Sequence, residues 1–164
     1  MPIEGYDFRR DQFPELLLRR CFPERTDRES GVIRDYLLEH LTEFERVSFS
    51  VRIGQGQLPA EGLEPGVARS VAFSSRKRID IVGWSGKLVT LIEAKERVQH
   101  DVLGQLLRDR ILWLEEYPDA PEPRLVAIGR TSDDDTVRAL NANGIDVYLY
   151  AGTVAARETG AGGL

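Results

Sequence analysis

The chain has 164 residues, 41% of them hydrophobic and 30% charged, with a net charge of −5. That is the size of one domain with a core of its own, and no apolar run approaches the roughly 20 residues a membrane-spanning helix needs. One cysteine and two histidines exclude a disulfide framework, a Cys-rich zinc site and a multi-His metal centre, so a bound metal would be a hard cation held by carboxylates.

The opening MPIEGYDFRRDQF lacks the apolar centre of a secretory signal, which argues for a cytoplasmic location. Residues 11–22 predict a short amphipathic helix. A second helix is predicted over about 27–44, where Ile33, Tyr36, Leu37, Leu41 and Phe44 recur at three- and four-residue steps. ERVSFSVRIG alternates as a strand over about 46–53, and GQGQLPAEGLEPG reads as a loop. VARSVAF predicts a short strand and RKRIDIVGW another; SGK then turns the chain into LVTLIEAKE, giving a hairpin. The strongest helix, about 100–117, stops at Pro118. RLVAIGRT is a buried strand, and a helix that opens on Asp residues ends before Gly144. IDVYLY is the last strand, and the tail 151–164 is expected to fray. The order implies one domain, 1–164, with its core over about 27–150, in which a mixed α/β sheet has helices on both faces.

Two of these strands carry charge in apolar surroundings. Asp80 lies within Ile79-Asp80-Ile81-Val82, and Glu93 and Lys95 end the run Leu91-Ile92-Glu93-Ala94-Lys95. Buried charges are costly unless paired, hydrogen-bonded or bound to metal. Residues two apart on a strand share a face, so Glu93 and Lys95 point the same way. A turn at about 85–86 lets Asp80 reach the same side from the neighbouring strand. Two carboxylates so placed suit a divalent cation, with the Ala94 carbonyl as a further oxygen and Lys95 aimed at a phosphate or an attacking water. The alternative is a structural ion pair at a sheet edge.

Asp80 followed by Glu93-Ala94-Lys95, on a hairpin that leads into a helix, resembles the PD-(D/E)xK nuclease superfamily. Ile79 stands where the family name has Pro. The element order over about 27–150 is most similar to archaeal-type Holliday-junction resolvases and related repair nucleases. The resemblance implies a restriction-endonuclease-like fold, a mixed β-sheet flanked by α-helices. It also implies a Mg²⁺-dependent DNA endonuclease, with Mn²⁺ as a substitute, in which Asp80 and Glu93 bind metal and Lys95 positions or activates the nucleophile. Such enzymes commonly form homodimers.

Glu29 has two readings. TDRES fits a capping box between Thr26 and Glu29, whereas the resemblance implies a first-helix glutamate that joins Asp80, Glu93 and Ala94 at the metal. Gln105 is either an ordinary polar residue on a helix shoulder or, by the same resemblance, a residue that orders the site. Asp109 stands four residues later, where some related nucleases carry Tyr. Arg76, Lys77 and Arg78, with Arg97 and Arg108, are the expected DNA-binding residues, since phosphate contacts need local base whatever the net charge. Trp84 and Trp113 are expected to pack, Trp84 being the more exposed. The chain has no room for a separate sequence-reading domain, which favours structure-directed cleavage of DNA junctions, flaps or strand ends. The competing expectations are a catalytically silent DNA-binding or assembly module of the same fold and a nuclease subunit active only with a partner.

Overall fold

Alternating apolar residues over 46–53 become a central strand because both of its faces find a helix layer to pack against. The computed structural model describes residues 3–57 and 61–151; the tail beyond 151 lies outside the described residues. Six strands lie in chain order across one sheet: β1 (Tyr6–Arg9), β2 (Arg46–Ile53), β3 (Lys77–Ser85), β4 (Leu88–Ala94), β5 (Arg124–Gly129) and β6 (Ile145–Leu149). β1 to β4 pair antiparallel, while β4, β5 and β6 are parallel. The parallel half requires crossovers, supplied by α4 (Asp101–Glu116) and α5 (Asp134–Ala142). The remaining helices are α1 (Phe13–Leu18), α2 (Asp27–Glu39) and α3 (Pro65–Ser75). No helix among the described residues is long and apolar enough to cross a membrane.

Two cores result, one on each face. Val32, Ile33, Tyr36 and Leu37 of α2 cover Val47, Phe49, Ile81, Ile92, Val126 and Ile128. On the other side, Val102, Leu106 and Trp113 of α4 pack with Val82, Val89, Leu91, Leu125 and Ala127. β2 and β3 change sides partway along. Val47 and Phe49 belong to the α2 core, but Val51 and Ile53 belong to the α4 core; on β3, Ile81 and Ile79 divide the same way. Strict alternation would keep each set on one face. The crossing falls at Ser50, whose φ of 53° is left-handed. Phe49 pairs with Ile81 and Val51 with Ile79, so Ser50 stands opposite Asp80 where the sheet rolls over.

Three expectations are corrected here. VARSVAF is not a strand but part of α3, whose first turn carries Pro65; Pro suits that position because its missing N–H would be unpartnered there. Val67 and Val71 stand four apart, as on a helix. The predicted helix over 11–22 is α-helical over Phe13–Leu18, after a 3₁₀ turn at Arg10–Gln12, and Tyr6–Arg9 adds an edge strand. Trp84 is buried: its indole Nε1–H donates to Ser48 Oγ (3.1 Å) and the Arg46 guanidinium lies over its ring.

Candidate active site

Ladder pairing between β3 and β4 ends at Ile81 and Ile92; one step further, Asp80 and Glu93 face each other across the two strands. Beyond that pair the ladder is replaced by a side chain, because the Ala94 N–H donates to Asp80 Oδ2 (3.0 Å). Glu93 shares the face of Val89 and Leu91, toward α4, and Asp80, where β3 changes sides, is close enough to Glu93 and Asp109 to raise both carboxyls. Asp80 and Glu93 are buried. The structure therefore brings Asp80, Glu93 and Lys95 together, with Ala94 contributing its amide to Asp80.

Each acid has a cation. Lys95 Nζ lies 2.8 Å from Glu93 Oε1, and the lysine side chain is 31% exposed, which makes it the outward part of the site. Burial pushes the Glu93 carboxyl up to about 7, with Asp80 adding to the rise and Lys95 opposing it. Burial also disfavours the charged lysine, but Glu93, Asp80 and Asp101 together raise Lys95 above its ordinary value, so it keeps its proton. On the other oxygen of Asp80, Arg25 Nη1 donates to Oδ1 at 2.5 Å, and both side chains are less than a tenth exposed.

Arg25 gave no signal in the sequence, since it acts across 55 positions. It arrives on a short strap, the connection between α1 and α2. Glu24 has a left-handed φ of 56° and pairs with Arg78, while Arg25 pairs with Asp80 and Arg28 with Glu96 (3.0 Å). The adjacent residues Glu24 and Arg25 thus clamp Arg78 and Asp80 of β3, each with its opposite charge. Left-handed backbone costs a non-glycine residue roughly 1–2 kcal/mol. Among the described residues the non-glycine positive φ values are those of Glu24 and Ser50, one beside Arg25 and one opposite Asp80.

α4 supplies the third side. Gln105 and Asp109 lie one turn apart on the face that also carries Leu106 and Trp113 inward. Asp109 is wholly buried; Arg108 holds its Oδ1 at 2.6 Å, whereas its Oδ2 and the Gln105 Oε1 are buried without a hydrogen-bond partner. Burial raises the Asp109 carboxyl, Arg108 opposes this, and Asp80 is close enough to add to the rise. The four-residue spacing from Gln105 was the available sign that Asp109 belongs with these residues.

Glu29 is placed in the capping box. Its Oε2 accepts the Thr26 N–H (3.1 Å) and Thr26 hydroxyl (3.0 Å), and its own N–H donates back to Thr26 Oγ1 (3.2 Å). No group of three or more His, Cys, Asp or Glu side chains among the described residues is arranged to hold a metal, so Glu29 is not gathered with Asp80 and Glu93 in this arrangement. The donor chemistry near Asp80 nevertheless suits a hard cation: two carboxylates, with Asp109, whose Oδ2 is unpartnered, close enough to act on both. The condition is that Asp80 Oδ1, now bonded to Arg25, be released.

The expected basic strip divides in two. Arg76 is a structural clamp that donates to the Gly54 carbonyl (2.6 Å), Glu4 (2.7 Å) and Glu116 (2.8 Å). Arg78 is taken by Glu24 and Arg108 by Asp109. Lys77 and Arg97 are exposed and form no ion pair among the described residues.

No family model and no curated protein matches this chain. Among solved structures, it is similar to one described as the crystal structure of a protein of unknown function, AF1548, with a TM-score of 0.38 and 17% sequence identity. The match covers 73% of this chain and 56% of that one, so the chain spans little more than half of that structure's length.

Proposed function

We propose that this chain is a Mg²⁺-dependent DNA endonuclease of the PD-(D/E)xK type, with the restriction-endonuclease-like arrangement of sheet and helices. The observation that carries the reading is the position of Asp80 and Glu93, opposite each other where β3 and β4 part, with Lys95 paired to Glu93 and Asp109 close to both acids. When bound, the cation would polarise a phosphodiester and make bound water more acidic. The protein's own contributions are separate. The Ala94 amide fixes the Asp80 carboxylate through Oδ2. Glu93, titrating near 7, loses its proton close to neutral pH. Lys95 stays charged at the exposed edge, where it meets phosphate or the nucleophile. The substrate is DNA recognised by shape, such as a junction, flap or strand end, and the functional unit is a homodimer.

The Asp80–Arg25 pair favours a second reading, a catalytically silent DNA-binding or assembly module of the same architecture, because the carboxylate already has its cation. Incubation of the protein with branched and single-stranded DNA, with Mg²⁺, Mn²⁺ or chelator, separates the two. The nuclease reading expects cation-dependent cleavage that Asp80→Asn and Glu93→Gln abolish and Lys95→Ala slows by roughly 100-fold or more. Binding without cleavage on every substrate supports the silent module, and wild-type rates in Asp80→Asn refute this site.

A further inference from the structure

Arg25 has a chemistry that the site as proposed leaves unused. Its side chain is 7% exposed, it spends Nη1 on Asp80 Oδ1, and its Nε is buried with no partner. A guanidinium carries five donors in a fixed fork suited to carboxylate or phosphate. The charged groups of the site pair off as they stand: Asp80 with Arg25, Glu93 with Lys95 and Asp109 with Arg108. A divalent cation at Asp80 and Glu93 would leave an excess of positive charge and strip Arg25 of its partner, and a buried unpaired charge is strongly unfavourable. A phosphodiester beside the cation offsets part of that excess and gives Arg25 a new acceptor.

We infer that Arg25 is the anion-binding residue of this site, holding Asp80 when no cation is bound and turning to a substrate phosphate oxygen when a divalent cation takes Asp80. The inference rests on the nuclease reading of Asp80 and Glu93. The strap makes the exchange feasible without unfolding: Arg25 is held from either side by Glu24–Arg78 and the solvent-exposed Arg28–Glu96 pair, so its guanidinium can swing while the backbone stays anchored. Cation and phosphate binding are then linked, and linkage is reciprocal.

The test is Mn²⁺ binding, read by electron paramagnetic resonance and calorimetry on the intact chain, with and without an oligonucleotide of phosphorothioate linkages. Where a closed pair must open first, apparent affinity is reduced by the fraction open. Wild-type protein is expected to bind Mn²⁺ weakly alone and about tenfold or more tightly with the oligonucleotide. Arg25→Gln is expected to bind Mn²⁺ alone at least about tenfold more tightly than wild type and to lose most of the gain from oligonucleotide. Unchanged or weaker Mn²⁺ affinity in a folded Arg25→Gln protein overturns the inference. Should that variant fail to fold, Glu24→Gln decides: it leaves the Arg25–Asp80 contact in place but loosens the strap, and a smaller rise in Mn²⁺ affinity is expected, no rise counting against the inference. Asp80→Asn tells the two levels apart. Mn²⁺ binding that Asp80→Asn abolishes but Arg25 does not affect removes only the role of Arg25, whereas no Mn²⁺ binding in any protein removes the metal site and this inference with it.

Discussion

The two faces of the sheet are covered by helices of similar character, yet they carry different loads. Under α2 the core is aliphatic and aromatic: Phe22 stacks on Phe49 (5.2 Å between centroids), and Phe8 meets Phe49 edge-on (5.8 Å). Under α4 the apolar layer of Leu91, Leu106 and Trp113 is interrupted by Asp80, Glu93 and Asp109. Replacing buried ion pairs with apolar residues of similar volume is often neutral or stabilising, so the charges on the α4 side are poor candidates for a stabilising role. Both faces hold the sheet through apolar cores, and the α4 side also carries buried carboxylates, which cost stability.

That contrast predicts opposite outcomes for two substitutions. Phe49→Ala should destabilise the protein by about 3–5 kcal/mol, measured by denaturant unfolding, and leave Mn²⁺ binding by the remaining folded protein unchanged. Glu93→Gln should do the reverse. The Glu93 carboxyl titrates at about 7 in the fold against an ordinary 4.5. Between those values the unfolded chain has released a proton the folded chain still holds, so stability falls as pH rises through that window and levels off above it. The loss is of the order of 3 kcal/mol for the metal-free protein. Glu93→Gln should flatten that limb and melt higher than wild type at pH 8 in chelator, while losing cleavage. A wild-type melting temperature that does not fall between pH 5 and 7 would mean that Glu93 is not charged at a cost, and the contrast between the faces would go.

The fold was legible where burial alone decides. The strand over 46–53, the hairpin that turns at Gly86, and the helix at 101–116 follow from apolar spacing and turn residues, and Asp80, Glu93 and Lys95 stood out because charge interrupts those patterns. What stayed hidden depends on contacts between distant segments. Arg25 reads as one of many surface arginines until the strap folds over β3. Asp109 looks like an ordinary charge on an amphipathic helix, and only the tertiary packing shows that it has no route to water. The roll of the sheet at Ser50 leaves no mark either, because a serine in left-handed conformation has no composition signature.

Glu29 offers a smaller effect. Its carboxylate completes a capping box with Thr26, and Gln serves at that position equally well. Glu29→Gln is therefore expected to shift stability by less than about 1 kcal/mol and to leave cleavage within a few-fold of wild type. Severe loss of turnover at an unchanged melting temperature would instead mean that Glu29 leaves Thr26 to join Asp80 and Glu93 when a cation binds.

The smallest expected effect lies at the protein's surface, and it separates the basic residues that hold the fold from those free to meet DNA. Arg76 anchors Gly54, Glu4 and Glu116, so Arg76→Ala should cost stability, and any fall in DNA affinity should follow the fraction unfolded. Lys77 and Arg97 have no such engagements and are exposed. Each phosphate that a lysine or arginine neutralises contributes roughly 0.9 to the slope of log affinity against log salt on duplex DNA. With Lys77 and Arg97 added to Lys95 and Arg25 in the site, the slope should be shallow, about 2–4 per chain. Lys77→Glu with Arg97→Glu should lower it by about 2 and weaken binding to all DNA sequences alike, since phosphate contacts carry position but no sequence information. Binding measured in Ca²⁺ over a salt series checks this. A steep slope that survives the double reversal would move the DNA path to Arg9 and Arg19 of the N-terminal segment, which form no ion pair among the described residues.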